Sequence, residues 1–326
     1  MEFGLPWPGA EVAREAEDAG ITAFCTGDFV DNDAYEVLAD MVANTRTAKV
    51  GTGIAYAFSR TPYAHASAIR TLHKKAPGRL FLGLGSGAYS INRDWFGVEA
   101  DKPVARMRDL AGAVRAWLHA ENGAKVEYEG PYYRVSARVQ APVLGRLDVP
   151  VLFAAFNKGM AAAAAGHADG LIGHGLFTDR WWRDIVRPAT ANAPEGFTEH
   201  GWLITAVDDE APERAIRDAR RMVGFYLTVK TYDPYVEHHG WTEEVERQRD
   251  AFRKGDIDGM AAAVTDEMLA EITVCGTTAE ARAQLAKRQA EGSLARDLTY
   301  LAAPSFLTSD RRRATYARNS LALLEG

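Results

Sequence analysis

The chain has 326 residues, 47% of them hydrophobic and 25% charged, with a net charge of -6. That composition belongs to an ordinary globular protein long enough for one large α/β domain. Interspersed charges exclude the basic stripe of a nucleic-acid surface, and no apolar run reaches membrane-spanning length.

Met1-Glu2-Phe3-Gly4-Leu5 lacks the basic and apolar regions of a signal peptide, so a cytoplasmic protein is expected. Strand-type and helix-type segments alternate from there. Residues 2–5 read as a first strand, 9–18 as a helix with Val12, Ala13, Ala16 and Ala19 at helical spacing, and 21–26 as a second strand. Residues 34–44 read as a helix through Val37, Leu38, Met41 and Val42, and 49–58 as a third strand. Thr61-Pro62 opens the next helix, with proline in the first turn, where its missing amide has no partner to lose.

A fourth strand follows Pro77-Gly78: Leu80 to Leu84 is too short for a helix and suits a strand buried on both faces. It ends in Gly83, Gly85 and Gly87 at every second position, before an irregular stretch at 88–97. Two readings stay open. The glycines either leave bare backbone for a bulky, flat ligand, or form a glycine-rich barrel corner with nothing bound. The dinucleotide fingerprint fits poorly and the Walker pattern is absent.

An amphipathic helix is expected over residues 103–120, with Val104, Met107, Leu110, Ala111, Val114 and Leu118 on one stripe. Residues 125–138 break the alternation and read as a β-hairpin about Gly130-Pro131. The alternation resumes with strands at 149–155, 168–173 and 202–207 and helices at 159–166, 179–190 and 212–227. Residues 228–271 intervene, crowding Tyr232, Tyr235, His238, His239 and Trp241 before a charged helix. A helix at 277–291, a strand at 297–302 and a helix at 311–324 end the chain. Eight strands alternating with helices predict an α/β fold, a (β/α)8 TIM barrel, with a doubly wound sheet as the alternative. Residues 1–326 are thus expected to form a single barrel domain, with a hairpin insertion at 124–142 and a lid insertion at 228–271. Cys25 and Cys275 read as packing residues, and the eight histidines show no metal-ligand spacing.

Several stretches together resemble one family. They are Lys49-Val50-Gly51-Thr52-Gly53-Ile54, Arg60-Thr61-Pro62, Pro77 to Gly87, Lys102-Pro103, Val149 to Ala155, Ala168-Asp169-Gly170 and Val274-Cys275-Gly276-Thr277. Their order and spacing resemble the luciferase-like flavin and deazaflavin oxidoreductases. Asp28 with Asn32-Asp33-Ala34-Tyr35 is most similar to the methylenetetrahydromethanopterin reductase-like branch, which uses the deazaflavin coenzyme F420. The resemblance implies a cofactor at the C-terminal ends of the strands, with a non-prolyl cis peptide at Gly53-Ile54 and contacts from Gly53, Ile54 and Ala55. Gly85, Ser86 and Gly87 would line the same groove. Ala155, Asn157, Lys158 and Gly159, with Gly173 and His174, would take the phosphate-bearing tail, because amides at a helix start and a lysine charge both attract phosphate. The alternative reading of the Lys158 region is an ordinary helix start.

Hydride transfer from a deazaflavin needs a positioned acid. Relatives often carry histidine after the aspartate at the second strand's exit, and this chain has Phe29 there. Asp28 is the remaining catalytic candidate, or else it hydrogen-bonds the cofactor ring or a backbone amide. Trp7, Phe29 and Tyr56 are candidates for an apolar substrate wall or for plain packing. The expected activity is an F420-dependent oxidoreductase moving hydride to or from a small organic substrate. The alternatives are an FMN-dependent monooxygenase served by a partner flavin reductase, and a non-catalytic flavin-binding member. A homodimer is expected, with no metal, nucleic acid or membrane partner.

Overall fold

The computed structural model describes residues 1–324. Its strands are β1 Glu2–Pro6, β2 Ala23–Thr26, β3 Lys49–Tyr56, β4 Leu80–Gly85, β5 Lys125–Glu129, β6 Arg134–Arg138, β7 Val151–Ala154, β8 Gly170–Ile172, β9 Thr198–Val207, β10 Thr273–Gly276 and β11 Leu298–Ala302. Helices separate them except across the β5–β6 turn and in the irregular stretch 139–150 between β6 and β7. Strands β1 to β4, β7 to β9 and β11 are the eight strands of a (β/α)8 barrel. β10 is an added parallel strand that the sequence reading did not count; it pairs with the end of β9, Val274 opposite Thr205 and Cys275 opposite Ala206.

The chain divides into two compact units. One holds Met1–Ile21, Gly173–Ile185 and the chain from His200 onward; the other holds Thr22–Ile172 and Val186–Glu199. In the first, β1 pairs with β11, β11 with β9 and β9 with β10, all parallel. In the second, β2, β3, β4, β7 and β8 pair in that order, again all parallel. Every residue of β4 is buried, as its uninterrupted apolar run implies.

The β5–β6 hairpin forms where the sequence places it and docks on the helix Pro103–Leu118. Val126 and Val135 pack with Ala113 and Ala120. One buried carboxylate fastens the turn: Asp109 accepts the Tyr128 hydroxyl (2.6 Å) and the amides of Tyr132 (2.7 Å) and Tyr133 (2.8 Å). Desolvation and that hydrogen bond push the Tyr128 phenol up to about 12.

Residues 179–190 differ from the single helix expected. A short turn, Asp179–Trp181, passes into a π-helical turn at Trp182–Val186, and Pro188 in Arg187–Ala189 lacks the amide that a continuous α-helix needs. The stretch 88–97, expected to be irregular, contains the short helix Tyr89–Asp94. Residues 228–271 are largely helical, and Tyr235, His239 and Trp241 are buried within the first unit. Tyr235 donates its hydroxyl to Leu176 O at 2.5 Å. His239 bonds to Tyr235 O through Nδ1 (2.8 Å) and to the Thr178 hydroxyl through Nε2 (2.7 Å). Since a carbonyl only accepts, Nδ1 carries the proton and Nε2 accepts from Thr178.

Candidate active site

The exit of β2 is a tight loop built by its own side chains. Asn32 Nδ2 donates to Gly27 O (2.6 Å), and Asp33 caps the helix Ala34–Asn44 by accepting from the Tyr35 and Glu36 amides. This turns Asp28 toward β3. Its amide donates to Ile54 O (2.9 Å), and its carboxylate, 8% exposed, accepts four hydrogen bonds. Oδ1 takes Ala34 N (2.9 Å) and Arg60 Nη2 (2.9 Å), while Oδ2 takes Tyr56 N (2.8 Å) and Arg60 Nη1 (2.6 Å). Four donors occupy the carboxylate, so of the roles open to Asp28 the geometry shows the bonding of backbone amides.

Arg60 also reaches Asp33 Oδ2 at 2.6 Å. Burial works to lower its pKa, but the bonds to Asp28 and Asp33 more than offset that and raise it. The guanidinium lies 5.1 Å from the centre of the Tyr35 ring. The Tyr35 hydroxyl meets His65 Nδ1 at 2.5 Å, and His65 Nε2 meets Ala57 O at 3.1 Å. The carbonyl fixes the tautomer: Nε2 holds the proton and Nδ1 accepts from the phenol. Burial lowers His65 to about 4 and raises Tyr35, so both stay neutral near pH 7.

β3 carries a bulge between Thr52 and Ala55, and the Gly53-Ile54 peptide is cis, at the bond the resemblance indicated. Ile54 is half-buried and Ala55 fully buried. The glycines beyond are explained mostly by protein neighbours. A Cβ on Gly83 would lie 2.1 Å from Thr52 O and 2.6 Å from Ile172 Cδ1; one on Gly85 would lie 2.7 Å from two carbons of Ile54. The space at Gly85 is therefore taken by Ile54, and that at Gly83 by Thr52 and Ile172. Gly87 differs: its φ of 66° favours glycine, and it sits beside the Tyr56 ring. Ser86 and Gly87 are half-buried. Tyr56 packs on Phe96, their ring centres 5.2 Å apart, and burial, with the Asp28 charge, raises its phenol pKa. Phe29 is 65% exposed and meets Trp95 edge-on.

At the exit of β7, Ala155 is buried, its amide bonded to Ile172 O at 3.1 Å. Asn157 stands at the N-cap of the helix Lys158–His167 without capping it; the Met160 and Ala161 amides bond to its main-chain oxygen instead. Asn157 Oδ1 is buried with no hydrogen-bond partner. Lys158 and Gly159, both exposed, open the helix, where first-turn amides have no intrahelical acceptor. An unpaired acceptor beside an uncapped helix end fits a ligand carrying both a donor and an anionic group.

Trp7, Gly173 and His174 belong to the other unit. Trp7 is half-buried after β1. A Cβ on Gly173 would come within 2.8 Å of Phe177 and Trp182, so packing requires that glycine. His174 Nδ1 accepts from the Leu176 amide (3.2 Å), which leaves the proton on Nε2, 3.2 Å from the Tyr232 hydroxyl. Burial lowers it to about 4. Its ring stands against Tyr226 and Tyr232, so packing within this unit accounts for it.

The family model described as luciferase-like monooxygenase matches residues 8–294. The chain belongs to that family. The 5,10-methylenetetrahydromethanopterin reductase of Archaeoglobus fulgidus is 28% identical over 277 residues, covering 80% of each chain. The coenzyme F420-dependent tetrahydromethanopterin reductase of Methanopyrus kandleri superposes with a TM-score of 0.79 at 21% identity, over 98% of this chain and 97% of that one. The oxygenating constituent of the 3,6-diketocamphane monooxygenase of Pseudomonas putida, in complex with FMN, superposes at 0.65 with 14% identity, over 98% and 96%. These structural likenesses show the fold, a luciferase-like (β/α)8 barrel.

Within this luciferase-like chain the sequence reading missed the supports of β3: Arg60 as an ion-pair partner, Tyr35 as a donor and His65 as a neutral relay. Arg60 Nη1 and Asp28 Oδ2 are 32 positions apart, with no local periodicity to join them. The missed signal was an arginine directly before a Thr-Pro helix start, facing two aspartates across one strand. Among the described residues no helix is long and apolar enough to cross a membrane.

Proposed function

We propose that the chain is an F420-dependent oxidoreductase that moves a hydride between the deazaflavin and a small organic substrate such as an imine, ketone, alcohol or activated alkene. The observation that carries this reading is the β7 exit, where the unpartnered Asn157 Oδ1 lies beside the open helix end at Lys158 and Gly159. The curated reductase relative, at 28% identity over most of both chains, supports it. When bound, F420 supplies hydride from C5 and does not readily activate oxygen. Asn157 would accept from a ligand donor, and the Lys158 and Gly159 amides with the Lys158 charge would hold a phosphate. The main chain at Gly53, Ile54, Ser86 and Gly87 would bear on the ring. Tyr56, whose phenol pKa burial raises further above neutral pH, would offer a hydroxyl to a substrate oxygen or nitrogen.

The name of the matched family favours a second reading, an FMN-dependent monooxygenase. Oxygen uptake separates the two. With reduced F420 and a panel of carbonyl and imine acceptors, the first reading expects anaerobic turnover and no oxygen consumption. Oxygen-dependent turnover with reduced FMN alone would overturn it.

A further inference from the structure

We propose that Arg60 is a positioning residue for this reaction, an inference that rests on the cofactor reading above: gripped between Asp28 and Asp33, it holds β3 in the shape against which cofactor and substrate would bear. Besides its ladder with β4, where Ala57 N donates to Gly85 O, the segment from Ile54 to Arg60 is fastened at four points on its other side. Ile54 O accepts from the Asp28 amide, Tyr56 N donates to Asp28 Oδ2, Ala57 O accepts from His65 Nε2, and Arg60 pairs with both oxygens of Asp28. Three of these converge on Asp28. A carboxylate only 8% exposed stays in place because a cation lies against it, and Arg60 supplies that charge.

Arg60 is itself held. Asp33, fixed by its capping bonds, takes Nη2, and the Tyr35 ring lies beneath the guanidinium while its hydroxyl is committed to His65. The grip needs a planar fork. One guanidinium spans both Asp28 oxygens and still reaches Asp33, which a lysine ammonium cannot reproduce. Removing Arg60 leaves Asp28 buried without its cation, so the carboxylate turns outward and releases Tyr56 N and the bulge.

The test compares wild type with Arg60→Met, Arg60→Lys and the milder Asp33→Asn, which keeps the Arg60–Asp28 pair. Amide exchange over residues 54–57 is read in the cofactor-free protein, with the β4 residues 80–85 as internal reference. Exchange in 54–57 is expected to rise about tenfold in Arg60→Met, less in Arg60→Lys and least in Asp33→Asn, while 80–85 stays protected. F420 titration of the same proteins should show Kd weakening in the same order, and millimolar guanidinium should restore Arg60→Met in part. Unchanged exchange over 54–57 in Arg60→Met, or, if that variant does not fold, in Arg60→Lys and Asp33→Asn alike, would overturn the proposal. Loosened exchange in the variants, with wild type binding neither F420 nor FMN, would uphold the clamp and reject the cofactor reading.

Discussion

Gly83→Ala separates the two meanings that a glycine-rich strand end can have. The added Cβ would lie 2.1 Å from Thr52 O and 2.6 Å from Ile172 Cδ1. The first contact is with backbone, in the middle of the parallel ladder where Thr52 is opposite Leu82, so it cannot be relieved by a rotamer change. β3 and β4 must separate or shift. Overpacking of this kind costs about 3 kcal/mol. For a chain of this length, 1 kcal/mol moves Tm by about 1.5 °C, so the variant should melt about 4 °C lower. The assay is a thermal melt of cofactor-free protein followed by circular dichroism. If Gly83 merely left room for a ligand, the apoprotein would tolerate the methyl group, and a Tm within about 1 °C of wild type would refute the packing argument.

Three desolvated histidines contribute to the pH dependence of stability. Burial holds His65, His174 and His239 near 4, below the ordinary histidine value of about 6.5, so the unfolded chain takes up protons first as pH falls. Their contribution is full above about pH 6.5 and is lost toward pH 4, up to about 3 kcal/mol for each; a flat Tm profile from pH 7 to 4.5 would contradict this. Tyr35→Phe removes the donor to His65 Nδ1 and should cost about 1 to 2 kcal/mol in denaturant unfolding, and an unchanged midpoint would show that the bond contributes nothing. Asp109→Asn replaces a carboxylate that accepts three hydrogen bonds with an amide that accepts through one oxygen only. It should cost about 2 kcal/mol and raise amide exchange in residues 125–138, which unchanged protection there would disprove.

The barrel was legible because its signals are local. β4 announces itself as an apolar run too short for a helix, and the hairpin through aromatic and β-branched residues about Gly130-Pro131. β10 was not counted among the strands, since its place in the sheet depends on β9 extending beyond β11. The glycines of β4 were visible, but their meaning lay in Thr52, Ile54 and Ile172, which only the folded sheet brings to them. Asp28 stood out by its place after β2, while its ion pair with Arg60 joins positions far apart in the chain. The cis bond at Gly53-Ile54 came from the family resemblance; nothing in the local residue pattern marks it. The aromatic crowd at 232–241 was visible as well, yet its burial against Leu176 and Thr178 depends on contacts that composition does not encode.

The central claim is that this strand-end site takes a deazaflavin, and a fluorescence titration of the purified protein with F420 and, separately, with FMN tests it most directly. The account predicts saturable F420 binding at least about tenfold tighter than FMN, weakened by Asn157→Ala, which removes the unpartnered acceptor. Tighter binding of FMN, or binding of neither, would contradict it.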